Sequence, residues 1–488
     1  MSTPLTVVAA LRSPRLLRTE VLGGLVVALA LIPEAISFSI IAGVDPRVGL
    51  FASFTMAVSI AFLGGRPAMI SAATGAVALV IAPVMREHGF DHLVATVLLA
   101  GMIQIVLALL GVVRLLRFIP RSVMVGFVNA LAILVALAQL PQLVAVPWLV
   151  YPLVAAGIAI IVGLPRWTTV VPAPLVAIVA LTAAVVLSGA HVPTVGDQGA
   201  LPDSLPSLFW PDVPWTLETL RTIAPYALGM ALVGLLESLM TAKLVDEITD
   251  TGSNRTREAW GQGGANIVTG LFGGMGGCAM IGQTMINVKV SGARTRLSTF
   301  LAGVFLLVLV VALGDLVALI PMAALVAVML MVCVATFDWH SVRPSTLRRM
   351  PWSETAVMLV TVVVTVVTHN LAFGVVSGVL VAMVAFARRV AHLTQVTSED
   401  GPDGERTYRV TGALFFASSN DLVHQFAYAT DPDDVTIDLS GAHVWDASSV
   451  ATLDAVSTRY ASLGKNLTLV GLNEDSARRH ARLGGRLG

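Results

Sequence analysis

Long apolar runs alternate with short polar connections from Val21 to Val390. Fourteen apolar segments can be marked, centred near residues 27, 56, 78, 102, 129, 156, 180, 233, 266, 285, 305, 325, 361 and 382. A helical run of about 20 apolar residues crosses ~30 Å of hydrocarbon. The pattern therefore predicts a polytopic α-helical membrane protein with 14 transmembrane spans. Two segments, near 78 and 285, are short on the apolar side and follow glycine clusters. Beyond Thr397 the pattern changes. SEDGPDGERTY reads as a polar linker, placed at 394–408. YRVTGALFFA, DVTIDLSG and NLTLVGL then alternate as short strands, while VATLDAVSTRYASLG and EDSARRHARL read as helices. Residues 409–488 are expected to form a small α/β domain behind a transmembrane domain of residues 1–393.

Composition agrees with the pattern: 56% of residues are hydrophobic and only 12% charged, against roughly 25% charged in soluble domains. The net charge is zero, so no basic stripe points to nucleic acid. The distribution of charge says more. With the N-terminus placed in the cytoplasm, the cytoplasmic connections hold nineteen Lys and Arg, among them Arg12, Arg15, Arg18, Arg114, Arg117 and Arg121, and the outer ones hold three, Arg47, Arg86 and Arg221. That asymmetry follows the positive-inside rule and also places the C-terminal domain in the cytoplasm. A bacterial-type plasma (inner) membrane is the expected location. Pro33 and Glu34 stand where a cleaved signal peptide needs small residues, so the first run is read as a retained span. Cys278 and Cys333 suggest neither a disulfide nor a metal site. His88 and His92, in a short connection with Asp91, read as solvated. No GxxxxGK[ST] motif is present, so ATP hydrolysis is not expected. The chain reads as a transporter rather than an enzyme, with no metal and no cofactor.

The two glycine clusters match each other. FLGGRPAMISAATGA (62–76) and FGGMGGCAMIGQTMI (272–286) both carry Gly-Gly, a break, and then Ala-Met-Ile with a small residue. Each falls in the third span of a seven-span half, so the halves are expected to be inverted repeats, at about 15–190 and 222–393. Glycine-interrupted spans in matching positions point to a binding site near the bilayer midplane. Irregular backbone in a membrane must be buried in protein or line a polar cavity. A half-helix that starts there leaves its first N–H groups and its positive dipole end available to an anion. The expected donors are the amides of Ala72, Ala73 and Thr74 and of Gln283, Thr284 and Met285.

Acidic residues inside apolar segments are rare and functional by default. Glu34, in LIPEAISFSI of the first span, and Glu237, in ALVGLLESLMTAKLVDE of the eighth, occupy equivalent places in the two halves. A carboxylate taken out of water can exchange a proton, or ligate Na⁺ with Ser238 or Thr241. Asp246, Glu247 and Asp250 read as a solvated face at the end of that span. Phe38, one helical turn after Glu34, is a candidate cavity wall.

LIPEAISFSIIAGVDPRVGLFAS (31–53) resembles the signature of the SulP anion transporters, the sulfate-permease family that includes the animal solute carrier twenty-six proteins. ESLMTAKLVDE, REAWGQGGANI and INVKVSGARTRLS support the resemblance, and DLSGAHVWDASSVATL (438–453) looks like a STAS domain. The resemblance implies two inverted repeats of seven spans. A core domain (spans 1–4 and 8–11) would move against a gate domain (spans 5–7 and 12–14) in an elevator manner, usually in a homodimer. It implies an anion substrate such as sulfate, bicarbonate, chloride or a dicarboxylate, held between spans 3 and 10. Glu34 stands where many members have Gln, and Gln283 where animal members commonly have Arg. Both departures favour coupling to a cation. Glu237 matches an acidic position of other members. Ala447 stands at the place of the serine that anti-sigma-factor antagonists phosphorylate. The expected activity is proton-coupled symport of a small carboxylate or fumarate-like dicarboxylate. Na⁺-coupled bicarbonate or sulfate transport, an uncoupled exchanger or channel, and a membrane sensor are the alternatives.

Overall fold

The computed structural model describes residues 6–112, 114, 119–167, 172–391, 394–401 and 405–485; Arg117, expected in a cytoplasmic connection, lies outside them. The chain divides into two compact units, Met1–Val379 and Leu380–Gly488. The first begins with α1 (Val7–Arg12), α2 (Pro14–Ala42) and α3 (Pro46–Leu63). The pair β1 (Ser71–Ala72) precedes α4 (Gly75–His88), α5 (Phe90–Leu109), α6 (Arg121–Gln139), α7 (Val150–Gly163) and α8 (Ala173–Ser188). Then follow α9 (Leu217–Thr249), α10 (Arg255–Leu271), β2 (Cys278–Ala279) and α11 (Ile281–Met285), which runs on into a π-turn. The rest is α12 (Arg296–Ala312), α13 (Gly314–Ala318), α14 (Met322–Thr336), α15 (Pro344–Arg349), α16 (Trp352–Thr368) and α17 (Leu371–Ala391).

A helix lies over every one of the fourteen apolar centres. Among the described residues, α2, α3, α5, α6, α9 and α17 are long and apolar enough to cross a bilayer, while α7, α8, α12, α14 and α16 are apolar but shorter. Leu109, Leu187, Val308, Val367 and Phe373 stand exposed around the unit, as side chains facing lipid do and those of a soluble monomer rarely do. α2, α3 and α12 pack together, as do α3, α5, α9 and α10; α6 packs on α14 and α16, and α7 on α8 and α14.

Polar side chains inside this unit mostly tie helix ends. Glu20 of α2 is buried and accepts the amides of Arg294, Thr295 and Ser298 at 2.8, 3.0 and 3.1 Å, which caps the start of α12. Glu258 of α10 accepts the Gly65 and Arg66 amides at 2.7 and 3.0 Å. Glu34 and Glu237 are therefore not the only carboxylates deep in the unit, but these two others are satisfied by backbone. Asp246 differs from its expected place on a solvated face. It pairs with the buried Arg66 at 2.9 Å and accepts from Ser253 at 2.8 Å. Glu247 and Asp250 are exposed.

The second unit takes the end of α17 and a four-stranded sheet, β3 (Gln395–Asp400), β4 (Arg406–Leu414), β5 (Asp434–Val444) and β6 (Asn466–Val470), in that order. β3 runs antiparallel to β4, whereas β4, β5 and β6 are parallel. α18 (Phe416–Leu422), α19 (Ala447–Ser462) and α20 (Glu474–Leu483) accompany them. The stretch expected as a linker, 394–408, instead holds β3 and the start of β4. Thr397 to Asp400 are exposed, so this edge strand has no apolar alternation to reveal it; polar and charged side chains on an edge strand deter pairing with another chain. Val410, Ile437, Leu439, Val450, Leu453 and Val456 form the core. Beneath it Asp431, 5% exposed, accepts from Tyr408, Tyr460 and Arg406 at 2.6 to 3.0 Å. Burial and the Asp431 carboxylate push the Tyr460 phenol well up, so it keeps its proton as a donor.

Candidate functional site

The two glycine-rich breaks meet. α3 ends before Gly64 and α10 before Phe272. The chain then runs extended on both sides, and β1 pairs antiparallel with β2 in the register Ser71↔Ala279 and Ala72↔Cys278. The Met280 amide continues the ladder onto the Ile70 carbonyl at 2.9 Å. Gly276 turns the chain with φ +73°, and a Cβ on Gly277 would sit 2.0 Å from the Ala72 carbonyl oxygen. That contact forbids any side chain at 277. Neutral polar side chains secure the crossing. Asn266 exchanges hydrogen bonds with the Gly277 backbone at 2.9 and 3.1 Å and donates to Gln104 at 3.0 Å.

Beyond the crossing the two short helices begin. α4 has 14 residues, ~21 Å at 1.5 Å per residue, less than a bilayer core. Thr74 caps it, accepting the Val77 amide at 3.4 Å, and its carbonyl takes the Ala78 amide at 2.9 Å. The first N–H groups of a helix have no internal acceptor, which leaves those of Gly75 and Ala76. At the start of α11 the Thr284 amide returns to the Met280 carbonyl at 3.1 Å, which leaves the N–H groups of Ile281, Gly282 and Gln283.

Both helix starts line one cavity of about 100 Å³. Glu34 and Phe38 of α2, Thr74 and Gly75, Glu237 of α9, and Met280, Ile281 and Gly282 form one side. Phe127, Leu131 and Val135 of α6 with Val332, Cys333 and Thr336 of α14 form the other. The two candidate carboxylates thus share a cavity whose lining contains no Lys, Arg or His. Glu237 accepts the Cys278 thiol at 3.0 Å. Gln283, 2% exposed, lies within reach of Glu34, and its Oε1 has no hydrogen-bond partner among the described residues. Among those residues no three His, Cys, Asp or Glu side chains cluster as metal ligands do.

Of the other expected site residues, several sit behind the cavity rather than on it. The Ala73 amide donates to Ser53 Oγ at 3.2 Å, and Ala72 is committed to the β1–β2 pair. Thr284 Oγ1 accepts the Ile70 amide at 3.0 Å. Met285 packs with Ala68, Val245 and Val288. Of the expected amide donors, those of Ala73 and Thr284 are thus already paired, while Gly75 and Ala76 and Ile281, Gly282 and Gln283 stand at the helix starts beside the cavity. Ser238 and Thr241 hold β2: Ser238 Oγ accepts the Ala279 amide at 3.0 Å, and Thr241 donates to the Glu237 and Ala279 carbonyls at 2.8 and 3.5 Å. Sequence reasoning missed the α6 and α14 wall, Gly75, Ile281, and Cys278.

A cavity between two opposed helix starts, inside a bundle that faces lipid, defines a membrane transporter of anions. The chain belongs to the sulfate permease family, whose model matches residues 17–152 and 146–361, and a STAS domain follows at 395–485. It is similar to YbaR of Bacillus subtilis strain 168, which carries a provisional sulfate-transporter name, with 52% identity over 460 residues covering 94% of this chain and 95% of YbaR. The solved transmembrane domain of a cyanobacterial bicarbonate transporter, BicA, is 26% identical, with a TM-score of 0.66 over 74% of this chain and 98% of that one. The fold of the murine Solute Carrier 26 family member A9 matches with a TM-score of 0.81 at 16% identity, over 96% of this chain and 87% of that one.

Proposed function

We propose that this protein is a proton-coupled symporter of a small anion, with a fumarate-like carboxylate or dicarboxylate as the preferred substrate. The observation that carries the reading is the placement of Glu34 and Glu237 in one cavity that offers backbone N–H groups and no cationic side chain. Two opposed helix starts supply a total of about one positive charge, and two ionised carboxylates would outweigh it. A proton taken up by either one removes repulsion against the incoming anion, so proton and anion favour each other reciprocally. Sulfate or bicarbonate, with a proton or with Na⁺, is the second reading, and the names of YbaR and BicA favour it.

Fourteen spans in two inverted repeats of seven are part of the proposal, supported by the helices over all fourteen centres and the antiparallel meeting of β1 and β2. So is an elevator movement of a core, spans 1–4 and 8–11, against a gate, spans 5–7 and 12–14. The packing of α6 with α14 and α16, apart from the α3, α5, α9 and α10 group, supports that division. The N-terminus and the STAS domain are assigned to the cytoplasm by the positive-inside asymmetry, in a bacterial-type inner membrane, and the working unit is taken as a homodimer. The test uses purified protein in liposomes. Glu237→Gln is expected to lose uptake driven by an inward proton gradient while retaining anion exchange, and Glu34→Gln to weaken the gradient-driven uptake. Wild-type behaviour of both variants would show that neither carboxylate couples anything.

A further inference from the structure

Glu237 does not stand alone in the cavity wall. Cys278 of β2 is fully buried and donates its thiol proton to Glu237 Oε2 at 3.0 Å. The same sulfur lies 3.1 Å from Thr74 Oγ1. Thr74 lines the cavity and caps α4. Three side chains from three separated segments thus form one line, with the carboxylate at one end and the start of α4 at the other. The other titratable groups that face Glu237 are Glu34 of α2 and Cys333 of α14, both on the cavity wall. From α5 and α10 the neutral Gln104 and Asn266 approach, hydrogen-bonded to each other and to backbone.

Donor rules fix the direction of this line. An ionised carboxylate only accepts, so the Cys278 S–H points at Glu237. With its one proton committed, the sulfur accepts from Thr74, and the Thr74 O–H points away from the cavity. A protonated Glu237 is itself a donor. Its O–H then points at the sulfur, the S–H turns to Thr74 Oγ1, and the Thr74 proton is free to turn toward an anion. The proton stays on the carboxyl group. Only the thiol and hydroxyl rotors move, and no bond at sulfur forms or breaks.

We propose that Cys278 is a positioning residue that ties proton binding at Glu237 to anion binding at the start of α4 by reversing this hydrogen-bonded line. The inference rests on the proton-coupled reading above and deepens it. A hydroxyl that donates to an anion makes a charge-assisted bond, which raises affinity about tenfold or more. Cutting the line removes that increment and leaves the through-space effect of neutralising Glu237.

The experiment measures binding of radiolabelled sulfate, and in parallel radiolabelled fumarate, to the purified full-length protein in mildly alkaline and mildly acidic buffer. The quantity read is the affinity ratio between the two buffers within each variant, so a general loss of stability cancels. Wild type is expected to bind more tightly in acid. Cys278→Ala is expected to lose about tenfold of that ratio. Cys278→Ser, whose hydroxyl both donates and accepts, is expected to keep it, and Thr74→Val to lose it as Cys278→Ala does. If wild type is pH-dependent and Cys278→Ala shows the same ratio, the relay is wrong and the coupling reading stands. If wild-type affinity ignores pH, both fall. If Cys278→Ser behaves as Cys278→Ala, the thiol acts through packing alone and the relay is again wrong.

Discussion

Gly282 is the position where the cavity can be filled without touching the fold. It lines the cavity, at the start of α11, and a Cβ built there meets nothing within 4 Å. Gly282→Val adds three carbons. At about a water's ~30 Å³ each, they take up roughly 90 Å³ on the cavity side of α11. An anion must then be squeezed beside the new side chain or displaced. Overpacking of this kind costs about 1–3 kcal/mol, which is roughly five- to a hundredfold in affinity. Gly282→Ala adds one carbon and is expected to give a smaller loss. The assay is sulfate and fumarate binding to purified protein, with yield and thermal unfolding recorded for each variant. Loss of binding at wild-type unfolding temperature, graded from Ala to Val, is the expected result. Unchanged affinity in Gly282→Val would show that the anion binds elsewhere.

Gly277→Ala should behave in the opposite way, because its Cβ would lie 2.0 Å from the Ala72 carbonyl oxygen; a lower unfolding temperature with little folded transporter is expected, measured by size-exclusion profile and thermal shift. In the second unit, Asp431→Ala removes the shared acceptor of Tyr408, Tyr460 and Arg406 and is expected to cost about 3 kcal/mol of that unit's stability, read by denaturant unfolding of the STAS domain. Deleting residues 394–488 should leave anion binding intact, since every cavity-lining residue belongs to the first unit; total loss of binding by a well-folded truncated protein would contradict that. The cut falls at 394, ahead of β3, which begins at Gln395.

Charge in an apolar run is conspicuous, so Glu34 and Glu237 could be picked out from sequence, and so could the two glycine clusters that break otherwise continuous spans. The opposite wall could not. Phe127, Leu131, Val135 and Val332 are apolar residues in apolar helices, and nothing in their spacing separates a cavity wall from packing or lipid contact. Two of the expected amide donors have partners of their own: Ser53 takes the Ala73 amide from twenty residues away, and the Met280 carbonyl takes that of Thr284. Cys278 reads as a small buried residue until β2 brings it between Thr74 and Glu237. The glycines of 270–284 serve different ends: Gly277 admits a backbone crossing, while Gly282 leaves open space on the cavity side of α11. Only the folded structure tells these apart.

A proton-coupled symporter brings its anion in together with a proton. The most direct test is uptake of labelled fumarate, sulfate and bicarbonate into liposomes carrying the wild-type protein, at fixed membrane potential, with an imposed proton gradient and separately with an imposed Na⁺ gradient. An inward proton gradient is expected to drive accumulation of at least one of these anions, with nothing added by Na⁺. Uptake that ignores pH and follows Na⁺, or that proceeds equally without either gradient, would contradict it.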